Sequence, residues 1–147
     1  VSALQFVLDR GQRLDWLESE QIPLWIPVKY DFLHVDHTVD AHELYETLES
    51  HPDLNVILCG AQYHEMSWVM PLLRSLGNIF IEISRTINTD ALTRILNVIA
   101  EERVVFGSGF PDGSISPILY GLHRYGLSTK SLTAICAGNL EQLLGVE

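Results

Sequence analysis

Four short, almost wholly apolar runs limit what this chain can become: "IPLWIPV" (22–28), "LNVILCGA" (54–61), "NIFIEIS" (78–84) and "RVVFGSG" (103–109). Each has the length of a strand, and three are nearly continuous in Val, Ile, Leu and Phe. A strand wetted on one face alternates apolar with polar residues. An unbroken run fits a strand buried on both faces, as parallel strands under helices are. Between the runs the period changes. "DAHELYETLESH" brings back Ala41, Leu44, Tyr45 and Leu48 at helical spacing, with Glu46 and Glu49 outside. "NTDALTRILNVIAEE" places Leu92, Ile95, Leu96 and Ile99 on one face, with Asn88 or Thr89 as the cap. "EMSWVMPLLRSLG" reads as a helix stopped by Gly77, with Pro71 demanding a kink or a late start.

Two further helices, "SPILYGLHRYG" and "STKSLTAICAGNLEQLLG", follow the fourth run, the latter capped by Ser128. "ALQFVLDRGQRLDWLESEQ" precedes the first run as a helical lead-in. The reading is one α/β domain over 1–147: a lead-in over 1–20, then four βα units over 21–147 with parallel strands and right-handed crossovers. Periodicity leaves two architectures open, a doubly wound open sheet or part of a (β/α) barrel.

Charge removes some functions. Nine basic residues against nineteen acidic ones give a net charge of −10, a field that repels nucleic acid and anionic membrane surfaces. No apolar run is long enough to cross a bilayer, and no basic segment precedes an apolar one as in a secretory leader. Cys59 and Cys136 both lie in apolar surroundings, so two buried, reduced thiols and a cytoplasmic setting are expected. Val rather than Met at position 1 fits a processed piece or fragment of a longer protein.

Ligands of parallel α/β folds sit beyond the carboxyl ends of the strands. There the chain carries His34, Asp36, His37, Asp40 and His42, then His64 and Glu65, then Glu82, Ser84 and Arg85, and finally Ser108, Gly109 and Asp112. "HVDH" (34–37) has the donors of a zinc site, but on a loop whose polarity solvation already explains. His64 and Glu65 suit the cap of the next helix as well as they suit a site. His51 and His123 read as structural. Glu82 alternates with Ile81 and Ile83; pointing into a barrel, it needs a partner such as Arg85 or Lys29. "FGSGF" lacks the spacing of a serine elbow, and "GSGFPDG" has no lysine for a phosphate loop.

Taken together, "HPDLNVILCGA", "ERVVFGSGFP", "AGNLEQLLG" and "IPLWIP" resemble the later half of the amidohydrolase-related metal-dependent hydrolases. The likeness is to the branch containing aminocarboxymuconate semialdehyde decarboxylase-like enzymes. It implies the C-terminal half of a TIM barrel, with these runs as its fifth to eighth strands. In that family "PDL-x-h-h-h-x-H" ends the sixth strand and "R-h-h-h-G-S-D-[FY]-P" the eighth, and the fifth also ends on a histidine. Those ligands hold a divalent metal, usually zinc, whose bound water is the nucleophile.

Position by position, the ligands fall here on Pro27, Gly60 and Gly109, none of which has a donor side chain. The resemblance therefore implies a family member without the family's catalytic and metal residues, no cofactor, and a cleft rimmed by His64, Glu65, Arg85, Ser108 and Asp112. The alternative is an active hydrolase or decarboxylase with zinc on relocated ligands His34, Asp36 and His37. A third reading is a small doubly wound binding domain. The expected partners are a small-molecule ligand and either a second copy of the chain or its missing N-terminal half, which would cover the interior of half a barrel.

Overall fold

The structure, a computed structural model, describes residues 23–32, 35–86, 90–111 and 113–146; of 29–32 and 35–38 it describes the backbone. The lead-in over 1–20, His34, the cap candidates Asn88 and Thr89, and Asp112 lie outside these residues.

All four apolar runs form strands: β1 (Leu24–Pro27), β4 (Val56–Cys59), β5 (Ile79–Glu82) and β6 (Val104–Val105). They lie side by side and parallel in chain order, β1-β4-β5-β6. A doubly wound sheet reverses its order part-way, and this one does not. The sequential order corrects the doubly wound reading and gives the barrel-type arrangement. The cause is local: each strand is followed by a helix that returns on the same side.

The helices are α1 (Ala41–Ser50), α2 (Met66–Ser75), α3 (Ala91–Leu96), α4 (Ser116–Arg124) and a last rod made of α5 (Thr129–Thr133), a π-helical turn (Ala134–Gly138) and α6 (Asn139–Leu144). Their buried stripe packs on one face of the sheet. Val56, Leu58, Ile79, Ile81, Ile83 and Val104 meet Leu44, Leu48, Val69, Leu73, Leu92, Ile95, Ile118 and Ile135 there, almost without solvent contact. Two caps are side-chain caps. Asp40 accepts from the backbone N–H groups of His42 and Glu43 at the start of α1, and Ser128 from that of Ser131. Pro71 does not delay α2, which starts upstream at Met66. The proline ring lies on the exposed side while Val69, Leu72 and Leu73 hold the other side in the core.

The segment after β1, read from its polarity as a loop, is an antiparallel hairpin of β2 (Lys29–Phe32) and β3 (Val35–Thr38). It pairs Tyr30 with His37 and Asp31 with Asp36. "KYDF" alternates but "VDHT" has three polar residues in a row, so a period-2 signal is not sustained across the hairpin. Neither cysteine is bonded, as expected of reduced thiols, but only Cys59 is partly buried. Cys136 lies exposed on the outer side of the π-helical turn, where neighbouring Ile135 takes the core position. No helix of the described residues is long and apolar enough to cross a membrane.

Candidate functional site

Strand pairing fixes which side chains share the inner face, away from the helices. Trp25, Ile57 and Phe80 are register partners; so are Pro27 and Cys59, and Glu82 and Val105. Because side chains alternate, Gly107 falls on the same face as Val105, one step nearer the tips. Glu82 is therefore a carboxylate on the inner face at the C-terminal edge of the sheet, and it is buried. Burial of such a group demands donors. They are the backbone N–H of Gly60 at 3.0 Å, the backbone N–H of Ser84 at 2.5 Å and the Ser84 hydroxyl at 2.8 Å. The expected partner Arg85 is instead exposed and makes no ion pair with Glu82. Two backbone groups and a hydroxyl next in the chain hold the charge, a solution that residue types alone do not reveal. The carboxylate also takes the space beside Gly107, where a Cβ would overlap it.

Of the three positions where the resemblance calls for metal ligands, Gly60 bonds this carboxylate, Gly109 lies beside its Ser84 partner, and Pro27 is two strands away. Pro27 is the exposed last residue of β1. Gly60 follows β4 with φ of +72°, and Gly109 follows β6 with φ of +66°. Residues with a Cβ seldom adopt that left-handed region, so the backbone at two ligand positions suits glycine better than histidine or aspartate. A Cβ on Gly109 would also stand 3.4 Å from the Ser84 Cβ. Among the described residues no three His, Cys, Asp or Glu side chains group so as to hold a metal ion. The residues at the family's ligand positions thus do not fit a metal centre.

The other candidates separate into two places. Ser108, Gly109, Arg85 and Gly113 gather at the tips. The Ser108 hydroxyl accepts from the Phe110 N–H at 3.2 Å, and the Arg85 Nη1 lies 4.0 Å from where a Gly113 Cβ would be. His64 and Glu65 lie beyond β4, paired Nε2 to Oε1 at 2.6 Å. Glu65 is buried and accepts from the Gln62 N–H at 2.7 Å, so it braces the loop rather than capping α2. His64 borders a groove of about 710 Å³ between α2 and α3, lined also by Met66, Met70, Ile95 and Arg94. Asp36 and His37 sit on β3, their side chains outside the described residues. His51 Nδ1 meets the Thr47 carbonyl at 2.9 Å, and His123 is exposed on α4. Both read as structural or surface groups.

Cys59 shares the inner face with Glu82. Burial, and then the Glu82 charge, push its thiol from the ordinary 9.0 up to about 12. At pH 8 exposed Cys136 should react with a maleimide or disulfide reagent at once, and Cys59 only on unfolding. The unfolded chain loses this proton near pH 9 and the folded chain near 12, so the contribution is complete below 9 and is lost as pH climbs through that window. Fast, equal labelling of both thiols in the native protein would contradict this.

The family model described as Amidohydrolase matches residues 31–146. The chain belongs to the amidohydrolase family. Solved structures with its fold include a 2,6-dihydroxybenzoate decarboxylase from Rhizobium, at 17% identity and a TM-score of 0.56 over 71% of this chain and 39% of that one. A 5-carboxyvanillate decarboxylase from Sphingomonas paucimobilis is similar at 14% identity and a TM-score of 0.56, over 71% and 37%. So is an amidohydrolase from Bifidobacterium longum subsp. infantis, at 12% identity and a TM-score of 0.55, over 73% and 46%. No match was found among curated proteins. This amidohydrolase-family chain spans about two-fifths of the length of the first two structures, and the shared part is the C-terminal portion of the barrel.

Proposed function

We propose that this part of the barrel has kept the family's scaffold and a cleft at the strand tips but not its metal-dependent chemistry. One observation carries the reading. The tips present Pro27, Gly60 and Gly109 where ligands belong, and the buried carboxylate at this end of the sheet, Glu82, is already held by Gly60 and Ser84. Pro27, Gly60 and Gly109 bring no side-chain donor atom, and three of the roughly four lone pairs of the Glu82 carboxylate are already engaged, which is too few left for a metal centre. The cleft would take a small molecule against Arg85 and Ser108. Supplying zinc to the purified protein should leave hydroxybenzoate decarboxylation and amide or ester hydrolysis at the buffer rate. Zinc-dependent turnover would defeat the proposal.

A second reading is favoured by the hairpin. It grows from the C-terminal end of β1, where the Val39 N–H bonds to the Val28 carbonyl, so that β3, which carries Asp36 and His37, returns to the same end of the sheet as the tips. Under it, zinc binds on His34, Asp36 and His37 and the His34→Ala/His37→Ala variant loses it. The proposed partner is a second copy or the companion N-terminal part, covering the β1 margin of the inner face, where Trp25 is 48% exposed. Sedimentation should then give a mass above the monomer; a monomer at high concentration would remove the second-copy form of this proposal.

A further inference from the structure

Half of a barrel has two raw edges, and eight strands could be made by pairing β1 of one copy with β6 of another, or each with strands of a companion half. The backbone decides whether that is possible. In the parallel ladder, Leu24 donates to the carbonyl of Asn55, just before β4, and Val28 to that of Cys59 at its end. The even positions of β1 therefore face β4, and Pro23, Trp25 and Pro27 face outward. Two of those three have no N–H to give, so the outer edge of β1 offers one donor, the Trp25 amide. Pro27 stands where the resemblance expects a histidine, so one replacement removes a metal ligand and an edge donor together.

The far edge is closed differently. Ile83 donates to the Val105 carbonyl, so Val105 faces β5 while Val104 and Phe106 face outward. The Val104 N–H donates to the Glu101 carbonyl, and the Val104 carbonyl accepts from the Asn139 side-chain amide at 2.7 Å. The Phe106 N–H donates to the Ile135 carbonyl at 2.9 Å, on the π-helical turn. Asn139 is itself buried and also donates to the Glu101 carbonyl at 2.7 Å. Every outward group from the Val104 N–H to the Phe106 N–H is taken by the chain itself: the first by the turn at Glu101, the other two by Asn139 and Ile135 of the last rod.

We propose that the sheet is finished at both edges, so that this chain does not close an eight-stranded barrel by strand pairing with a second copy. This rests on the second-copy form of the partner proposed above for its place, the inner face beside Trp25, and states how that copy docks: by side chains, not by ladder bonds. Prolines and covered edges are known devices against strand addition.

Hydrogen exchange of the whole chain, followed from low to high concentration, tests it. The Trp25 amide should exchange fast throughout, whereas those of Val104 and Phe106 stay protected even in the dilute monomer. Protection of Trp25 that grows with concentration would overturn the proposal, as would fast exchange at Val104 and Phe106. Pro27→Val, which restores an edge donor away from the core, should self-associate at a concentration about tenfold or more below wild type. Asn139→Ala, which frees the β6 edge, should do the same if it folds. Wild-type association behaviour in Pro27→Val would overturn the idea that missing donors keep β1 shut. The metal question stays separate, because zinc uptake alters neither the edge amides nor the Pro27→Val result.

Discussion

Gly107→Ala should lower stability by about 3 kcal/mol or more, roughly 10 °C in melting temperature for a domain of this size. The added methyl falls on the Glu82 carboxylate. That group cannot step aside cheaply, because Gly60 and Ser84 hold it with three hydrogen bonds in a buried place. Moving it breaks charge-assisted bonds and leaves donors unsatisfied, the most expensive class of change in a small core. A double-mutant cycle makes the cause visible. Glu82→Ala alone should cost about 2 kcal/mol through the orphaned N–H groups, and Gly107→Ala added to it should cost almost nothing more. The coupling would then approach the full cost of the glycine change. Strictly additive losses in chemical denaturation would mean that Gly107 and Glu82 do not share one space.

Restoring the family's ligands should fail. Gly60→His with Gly109→Asp places two side chains on backbone with φ of +72° and +66°, at a strain of about 1–2 kcal/mol each. Aspartate tolerates this region better than histidine, but at Gly109 it also crowds Ser84 at 3.4 Å. Gly60→Ala and Gly109→Ala should show nearly the same losses, since a Cβ of any kind brings the strain. Calorimetric titration of the double variant should show no saturable zinc uptake, with Pro27 still blocking the third position. A tight zinc site created by these two changes alone would mean that the tips differ from a metal centre only in side-chain identity.

The strands and their parallel arrangement follow from features the sequence states outright; their sequential order does not, since the same periodicity fits a doubly wound sheet. Unbroken runs such as "NVILC" can only be buried on both faces, and each helical segment between them is long enough to return. The hairpin after β1 was not legible as strand, because five of its eight residues are Lys, Asp, His or Thr and polarity there looks like a loop. At the site, the loss of donor residues at 27, 60 and 109 could be read directly once the resemblance fixed the register. What held Glu82 could not. One donor, the Gly60 N–H, is brought over by a strand tip 22 residues away, a second is the Ser84 backbone N–H, and no residue type announces either. Nor could the sealing of β6, which depends on Asn139 reaching a carbonyl 35 positions back in the chain. Asn139 carried one faint signal, a polar residue inside the apolar run of the last helix.

The most direct check is the metal content of the purified chain after growth and dialysis with added zinc, measured by elemental mass spectrometry per mole of protein. Strand tips without donors should leave the ratio near zero, in wild type and in His34→Ala/His37→Ala alike. One zinc per chain surviving a mild chelator wash would contradict a metal-free tip, and its loss in the double variant would move the site to the hairpin.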